Sequence, residues 1–175
     1  MSIPNASRRR SVVPAFFILG FLLLAPVSTA AAEMKYRTVS QFSKLETKPV
    51  GDVDGHMAGN WMRRGVCLLP KEVGVYSATG TVDYTKGKGT AKGESTCTFG
   101  DGSSFSTTLT NTVEPLGGGL SEYKGAAKFT KGTGRFAGIQ GAITYVGRTY
   151  TPMNADTRSD LVTDNVVKYT LPAKK

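Results

Sequence analysis

The residues best suited to chemistry are aromatic and polar side chains that strand alternation would turn towards a common interior. Aromatic rings supply apolar walls for a small molecule, while hydroxyl, amide and guanidinium groups supply hydrogen bonds to its oxygens. The pattern therefore predicts a binding site for a small apolar or aromatic molecule. Its predicted lining is Trp61, Arg63, Tyr76, Phe99, Asn111, Tyr123 and Tyr145.

Arg63 has the most demanding surroundings of this set. On a strand it would share an inward face with Trp61 and Cys67. A buried guanidinium is costly unless it is paired, so Arg63 would need a carboxylate, an anionic ligand or a route to solvent. The alternative is that Arg63 and Arg64 flank a change of face and that both reach water.

A second polar group is the spacing of Asp52, Asp54 and His56. On one strand these side chains would share a face, and metals use such ligands. The Asp54-Gly55 step is also typical of a turn, which would separate them. We favour a solvated strand end and predict neither a metal nor an organic cofactor. With a single histidine in the chain, a Ser–His–Asp arrangement cannot be inferred.

Cys67 and Cys97 are the two cysteines of the sequence. In an oxidising compartment they predict one disulfide, which would stabilise the fold by about 3–4 kcal/mol in the loop-entropy description. Two buried free thiols are the alternative.

Alternation with a period of two residues dominates the chain after residue 35 and indicates strands. Glycine-rich turns such as Lys86-Gly87-Lys88-Gly89 separate these runs, and no stretch is typical of a long helix. The predicted strands cover 36–42, 61–69, 73–85, 89–99, 105–113, 122–129, 139–147 and 161–171.

The fold class that follows is all-β, with about eight antiparallel strands closed into a barrel of lipocalin-like shape. Closure removes both sheet edges, whereas a two-sheet sandwich is the alternative. The inner face mixes glycine, alanine and serine with aromatic residues. An eight-stranded barrel is either filled by its side chains or holds one small ligand, and both outcomes stay open.

The first 32 residues have the order of an export signal: Arg8–Arg10, an apolar run from Val12 to Val27, and small residues up to Ala32. We predict a signal peptide over 1–32 and a single barrel domain over 33–175, exported to the periplasm or secreted. An uncleaved anchor is the alternative. No later stretch approaches the ~20 apolar residues of a membrane span.

The formal net charge is +9, and lysines concentrate between residues 86 and 131. Aromatic residues do not interleave with these lysines on the outer face, so we predict no nucleic-acid partner. The letters Gly132-Thr133-Gly134-Arg135-Phe136-Ala137 match a dinucleotide-binding fingerprint. A strand follows where that loop needs a helix, so we expect a glycine corner at which Phe136 folds back onto the barrel end.

The segment Lys131–Gly147, KGTGRFAGIQGAITYVG, resembles the GGTGxFxGaxGxgxy signature of the allene oxide cyclase-like barrel proteins. Plant dirigent proteins carry a related glycine-rich segment. Tyr84–Thr90 and Phe99–Ser103 are similar to segments of bacterial exported members of this group. The resemblance covers roughly residues 50–172, and it departs at Lys131-Gly132, where the family often has Gly-Gly.

This resemblance implies an eight-stranded antiparallel barrel with a hydrophobic cavity. Its members steer the cyclisation or coupling of reactive apolar intermediates, and plant members form trimers, which implies a homo-oligomer. The family's acidic catalytic residues do not match positions here. We therefore expect an exported barrel that binds a small apolar or aromatic ligand. The alternatives are a cyclase or isomerase without cofactor and an envelope protein with a fully packed interior.

Overall fold

The structure is a computed structural model that describes residues 31–152 and 159–173. It is a closed barrel of eight strands in chain order, each antiparallel to the next, with β1 also paired to β8. This confirms the predicted fold class, and the sandwich alternative is wrong. The strands are β1 Ala32–Pro49, β2 His56–Leu69, β3 Glu72–Thr85, β4 Lys88–Phe99, β5 Ser104–Gly117, β6 Leu120–Thr133, β7 Gln140–Thr149 and β8 Leu161–Thr170.

The predicted signal peptide lies outside the described residues, apart from its last two. β1 begins at Ala32, the last residue of that predicted segment, which pairs with Tyr169 of β8. Within the described part of the chain, no helix is long and apolar enough to cross a membrane.

Alternation places one face of each strand inside the barrel, as predicted, but register shifts interrupt it between β1 and β2 and at two points between β5 and β6. The register between β1 and β2 shifts between Phe42 and Lys44. Such a bulge adds one residue and therefore reverses which parity points inward. Phe42 and Leu45 consequently both face the interior, which the sequence pattern did not predict.

The two ends of the barrel differ in their connections. We call one the packed end; it carries the turns at 70–71 and 100–103 and the short 3₁₀ turn Gly134–Phe136 between β6 and β7. The opposite end, called the cavity end, carries the connections at 50–55, 86–87 and 118–119. It also carries the connection from Tyr150 to Asp160, of which residues 153–158 are not described.

Aromatic rings fill the packed end. Phe105 contacts Phe99 and Phe136, with ring centroids 5.9 and 5.2 Å away, and it also packs edge-on against Phe129 and Tyr36. Phe136 is buried in this cluster, which confirms the glycine corner predicted for 132–137. Aromatic pairs of this geometry contribute about 0.5–1.5 kcal/mol each beyond their buried area.

A disulfide joins Cys67 of β2 to Cys97 of β4, with their Cα atoms 6.2 Å apart. Both half-cystines are fully buried. The bridge spans β3, on which Gly74 pairs with Cys67 and Tyr76 pairs with Cys97. The predicted disulfide is thus confirmed, and the free-thiol alternative is wrong. It ties three strands together beside the aromatic cluster.

Candidate functional site in the barrel interior

A cavity of about 100 Å³ occupies the barrel interior towards the cavity end and is partly open to solvent. An engineered protein cavity of roughly 150 Å³ binds benzene, so this space is of the order of one aromatic ring. Six of the seven predicted site residues line it: Trp61, Arg63, Tyr76, Asn111, Tyr123 and Tyr145.

Phe99 is the exception among the predicted residues. It faces inward, as alternation required, but it lies in the aromatic cluster of the packed end and not on the cavity wall. Alternation predicts which face a residue occupies but not its depth along the barrel axis, and Phe99 is the last residue of β4.

Small residues on the inner face create the space. Ala91 and Ala127 line the cavity where larger side chains would fill it. Gly93 lies under the indole of Trp61, and a Cβ atom there would come within 2.8 Å of Trp61 Cζ2. Trp61 is held in place because its Nε1 donates a hydrogen bond of 3.0 Å to the carbonyl of Thr81.

Arg63 is buried in the cavity wall with only 4% of its surface exposed. Its guanidinium lies 3.6 Å from the ring centroid of Phe42, its direct partner across β1 and β2. Nη1 donates to the carbonyl oxygens of Ser40 and Ser159, at 3.4 and 3.2 Å. Nη2 is buried without a hydrogen-bond partner among the described residues.

The alternative in which Arg63 and Arg64 both reach water is therefore wrong, since only Arg64 is exposed. Burial lowers the pKa of Arg63, but a guanidinium does not lose its proton in a protein. Asp160 acts on Arg63 electrostatically, yet its Oδ2 contacts Thr151 Oγ1 at 3.5 Å. No described carboxylate forms an ion pair with Arg63, so its charge is solvated mainly by carbonyl dipoles and ring faces.

The tyrosines of the cavity present protonated hydroxyl groups. Burial raises the pKa of Tyr76 to about 12, and it also raises the pKa values of Tyr123 and Tyr145. The charge of Arg63 acts in the opposite direction on Tyr76 and Tyr123 without cancelling the effect of burial. At neutral pH Tyr76 and Tyr123 can therefore donate hydrogen bonds to a guest, whereas the hydroxyl of Tyr145 already donates to the carbonyl of Thr110.

Asn111 supplies an open acceptor on another part of the wall. Its Nδ2 donates to Tyr145 Oη at 3.1 Å, and Tyr145 Oη donates in turn to the carbonyl of Thr110 at 3.4 Å. This chain of donors orients the amide and leaves Oδ1 buried without a partner in the described structure.

Two residues around Arg63 were not predicted. Phe42 lies at the end of the predicted strand 36–42, but its pairing with Arg63 depends on the register between β1 and β2, which the sequence pattern does not reveal. Ser159 lies outside any strand, has a positive φ of 46°, and is buried with its Oγ unpartnered. A loop residue of this kind leaves no periodic signal.

The Asp52, Asp54 and His56 group takes the turn arrangement. Gly55 has a positive φ of 75°, and Asp54 contacts Lys86 at 3.2 Å instead of joining its neighbours. His56 lies between two carboxylates, with Nδ1 2.5 Å from Asp52 and Nε2 3.0 Å from Asp83. Within 31–152 and 159–173, no cluster of three or more His, Cys, Asp or Glu side chains could hold a metal.

The fold and the cavity define a class of protein, the small closed antiparallel β-barrel with an interior space opening towards one end. Among solved structures, the chain is similar to the pterocarpan synthase dirigent protein GePTS1, at 13% identity and a TM-score of 0.45, covering 94% of this chain and 98% of that one. It is also similar to the pterocarpan synthase dirigent protein PsPTS1, at 12% identity and a TM-score of 0.43, covering 85% and 98%. No protein-family model and no curated protein matches the chain.

Proposed function

We propose that this protein is an exported barrel that binds one small apolar or aromatic molecule in the cavity. The observation that carries the proposal is the uneven filling of the interior. The same alternating strands pack aromatic rings at one end, whereas at the other Gly93 lies beside Trp61 and alanines line a cavity of about 100 Å³.

The chemistry of the wall favours binding over acid–base catalysis. Cyclisation by a proton-transferring group would be favoured by an inward carboxylate beside Arg63 or a tyrosine. The described lining instead consists of apolar, hydroxyl, amide and guanidinium groups, with phenols whose pKa values are raised. The polar groups would orient a guest, and the rings would exclude water from it.

The test uses Trp61, the single tryptophan of the chain, as a reporter on the cavity wall. The purified protein is first examined by native mass spectrometry for a retained small molecule. It is then titrated with toluene and ethylbenzene while Trp61 emission is followed. Binding in the cavity should change the emission in a saturable way and raise the melting temperature.

A matched pair of variants locates the binding. Ala91→Leu adds an isobutyl group on the cavity wall, whereas Ala126→Leu adds the same group on the exposed outer face of β6. We expect Ala91→Leu to abolish the saturable response and Ala126→Leu to preserve it. If the wild-type protein shows neither a retained mass nor a saturable response, the proposed function is wrong.

A further inference from the structure

The polar surroundings of Arg63 bear on which class of guest the cavity takes. This inference rests on the proposed function and concerns the chemistry of the guest. The guanidinium has five N–H donors, of which the Nη1 pair contacts the carbonyls of Ser40 and Ser159. Nη2 has no acceptor among the residues that the structure describes, although Arg63 lines the cavity.

The charge of Arg63 is as incompletely matched as its hydrogen bonds. The Phe42 ring covers one face of the guanidinium at 3.6 Å, and such a cation–π contact is favourable in a desolvated site. The desolvation penalty of a buried ion is larger than this gain, so a ring and two carbonyl dipoles offset it only in part. A water molecule would satisfy Nη2 but would not neutralise the charge.

Two residues that carry hydroxyl groups, Ser159 and Tyr123, lie near the guanidinium, and a hydroxyl can donate to an anionic oxygen. The Ser159 carbonyl already accepts from Nη1, and the same residue holds a buried Oγ without a partner. The ring of Tyr123 lies 6.0 Å from the guanidinium carbon, and its phenol, which is protonated at neutral pH in any case, has its pKa raised further by burial. The site therefore combines one cation with hydroxyl donors.

We propose that the guest of this cavity is a small aromatic or apolar carboxylic acid, bound as its carboxylate with one oxygen on Nη2 of Arg63. The hydrocarbon part lies against Trp61 and the alanine-lined wall. The carboxylate completes the hydrogen bonding of Nη2, and the ion pair forms in a largely desolvated site. Charge-assisted hydrogen bonds of this kind are about twice as strong as neutral ones.

The test compares 3-phenylpropanoate with 3-phenylpropanamide, which has nearly the same shape but no charge, in titrations of the purified protein near neutral pH. We expect the acid to bind at least about tenfold more tightly than the amide. Arg63→Met should remove this preference by weakening the acid at least about tenfold, with the amide little changed. Arg64→Met removes a neighbouring charge on the outer face and should preserve the preference.

The outcomes separate this inference from the proposed function. If acid and amide bind the wild-type protein equally, the carboxylate site is wrong and the apolar binding barrel stands. A preference that survives in Arg63→Met, or disappears equally in Arg64→Met, also overturns it. If neither compound binds, the proposed function and the carboxylate site fail together. The wild-type comparison needs no variant, so it holds even if Arg63→Met does not fold.

Discussion

The two ends of this barrel are built from the same eight strands, yet they use their inward positions in opposite ways. At the packed end, Phe105 is 2% exposed and touches rings on several strands, and a buried disulfide ties β2 to β4. At the cavity end, Arg63 and Asn111 each keep a buried polar atom without a partner in the described structure. The inward side chains of the packed end contact one another, whereas those of the cavity end keep polar atoms that a ligand could contact.

The difference teaches that stability and recognition can be separated along the axis of a single small barrel. Packing at native density and a covalent link stabilise the fold at one end. Unsatisfied polar groups and empty space are destabilising in isolation, so they are tolerated where the other end supplies stability. Four variants, taken from the largest expected effect to the smallest, test this division.

Phe105→Ala should be the most damaging single truncation at the packed end. The ring is fully buried among four others, so its removal leaves a cavity that neighbouring rings cannot fill without moving. We expect a loss of about 3–5 kcal/mol in the free energy of unfolding, measured by urea denaturation. Well below the melting temperature, the Trp61 response to ethylbenzene should be unchanged. A loss below about 1 kcal/mol, or a lost response in the folded variant, would break the comparison.

Replacing both half-cystines, as Cys67→Ala with Cys97→Ala, should cost about 3–4 kcal/mol because the unfolded chain loses a long covalent loop. Reduction of the wild-type protein should lower its denaturation midpoint in the same direction, whereas reductant should not affect the double variant. Ligand response should again persist in the folded protein. A double variant as stable as the wild type would show that the bridge adds little to the packed end.

Arg63→Met, unlike the two preceding changes, should leave the free energy of unfolding unchanged or increase it. It replaces an incompletely satisfied buried charge with an apolar side chain of similar length, a change that is often neutral or stabilising by about 1–4 kcal/mol. The melting temperature of the unliganded protein should therefore stay constant or rise. Arg63→Lys keeps the charge but loses the flat surface that stacks on Phe42, so it should be less stable than Arg63→Met. A clear destabilisation in Arg63→Met would mean that Arg63 stabilises the unliganded fold, which would contradict a role limited to ligand binding.

Much of the packed end could be predicted from sequence, because its features are local or periodic. Alternation places Cys67 and Cys97 on inward faces, and the glycine corner accounts for the position of Phe136. Leu45 could not be predicted, because the bulge before it reverses the parity of β1. Phe99 lies in the aromatic cluster and not on the cavity wall, which the sequence could not indicate because periodicity carries no information on position along the barrel axis.

For the cavity end, the sequence predicted which residues line the interior but not their contacts with one another. The inward position of Arg63 followed from its strand, and the need for a partner followed from electrostatics. Its contacts with Phe42 and Ser159 depend on strand register and on a loop conformation with positive φ, and neither has a sequence period. The buried polar atoms without partners in the described structure, Nη2 of Arg63 and Oγ of Ser159, belong to residues placed by these non-local contacts.

The smallest expected effect on stability concerns the 50–55 connection at the cavity end, which is stabilised by ionic hydrogen bonds of His56. His56 closes the 50–55 connection between Asp52 and Asp83, and both contacts raise its pKa above the ordinary 6.5. The stability that protonated His56 contributes is complete below pH 6.5 and is lost as the pH rises through the raised pKa of His56. The pKa of Asp52 is lowered, chiefly by its hydrogen bond with His56, so its contribution disappears as the pH falls through that lowered pKa.

His56→Asn should therefore lower the melting temperature most between about pH 4.5 and 6.5, and the difference from wild type should shrink in more alkaline solution. Hydrogen exchange should show faster opening of residues 50–57 in the variant under the same mildly acidic conditions, with Phe105 and its neighbours unchanged. Asp54→Asn, which loosens the exposed contact with Lys86, serves as a control without this pH dependence. A difference in melting temperature that does not depend on pH would show that the His56 ring acts through packing. The packed end and the cavity end would then differ less in how they are stabilised than the structure indicates.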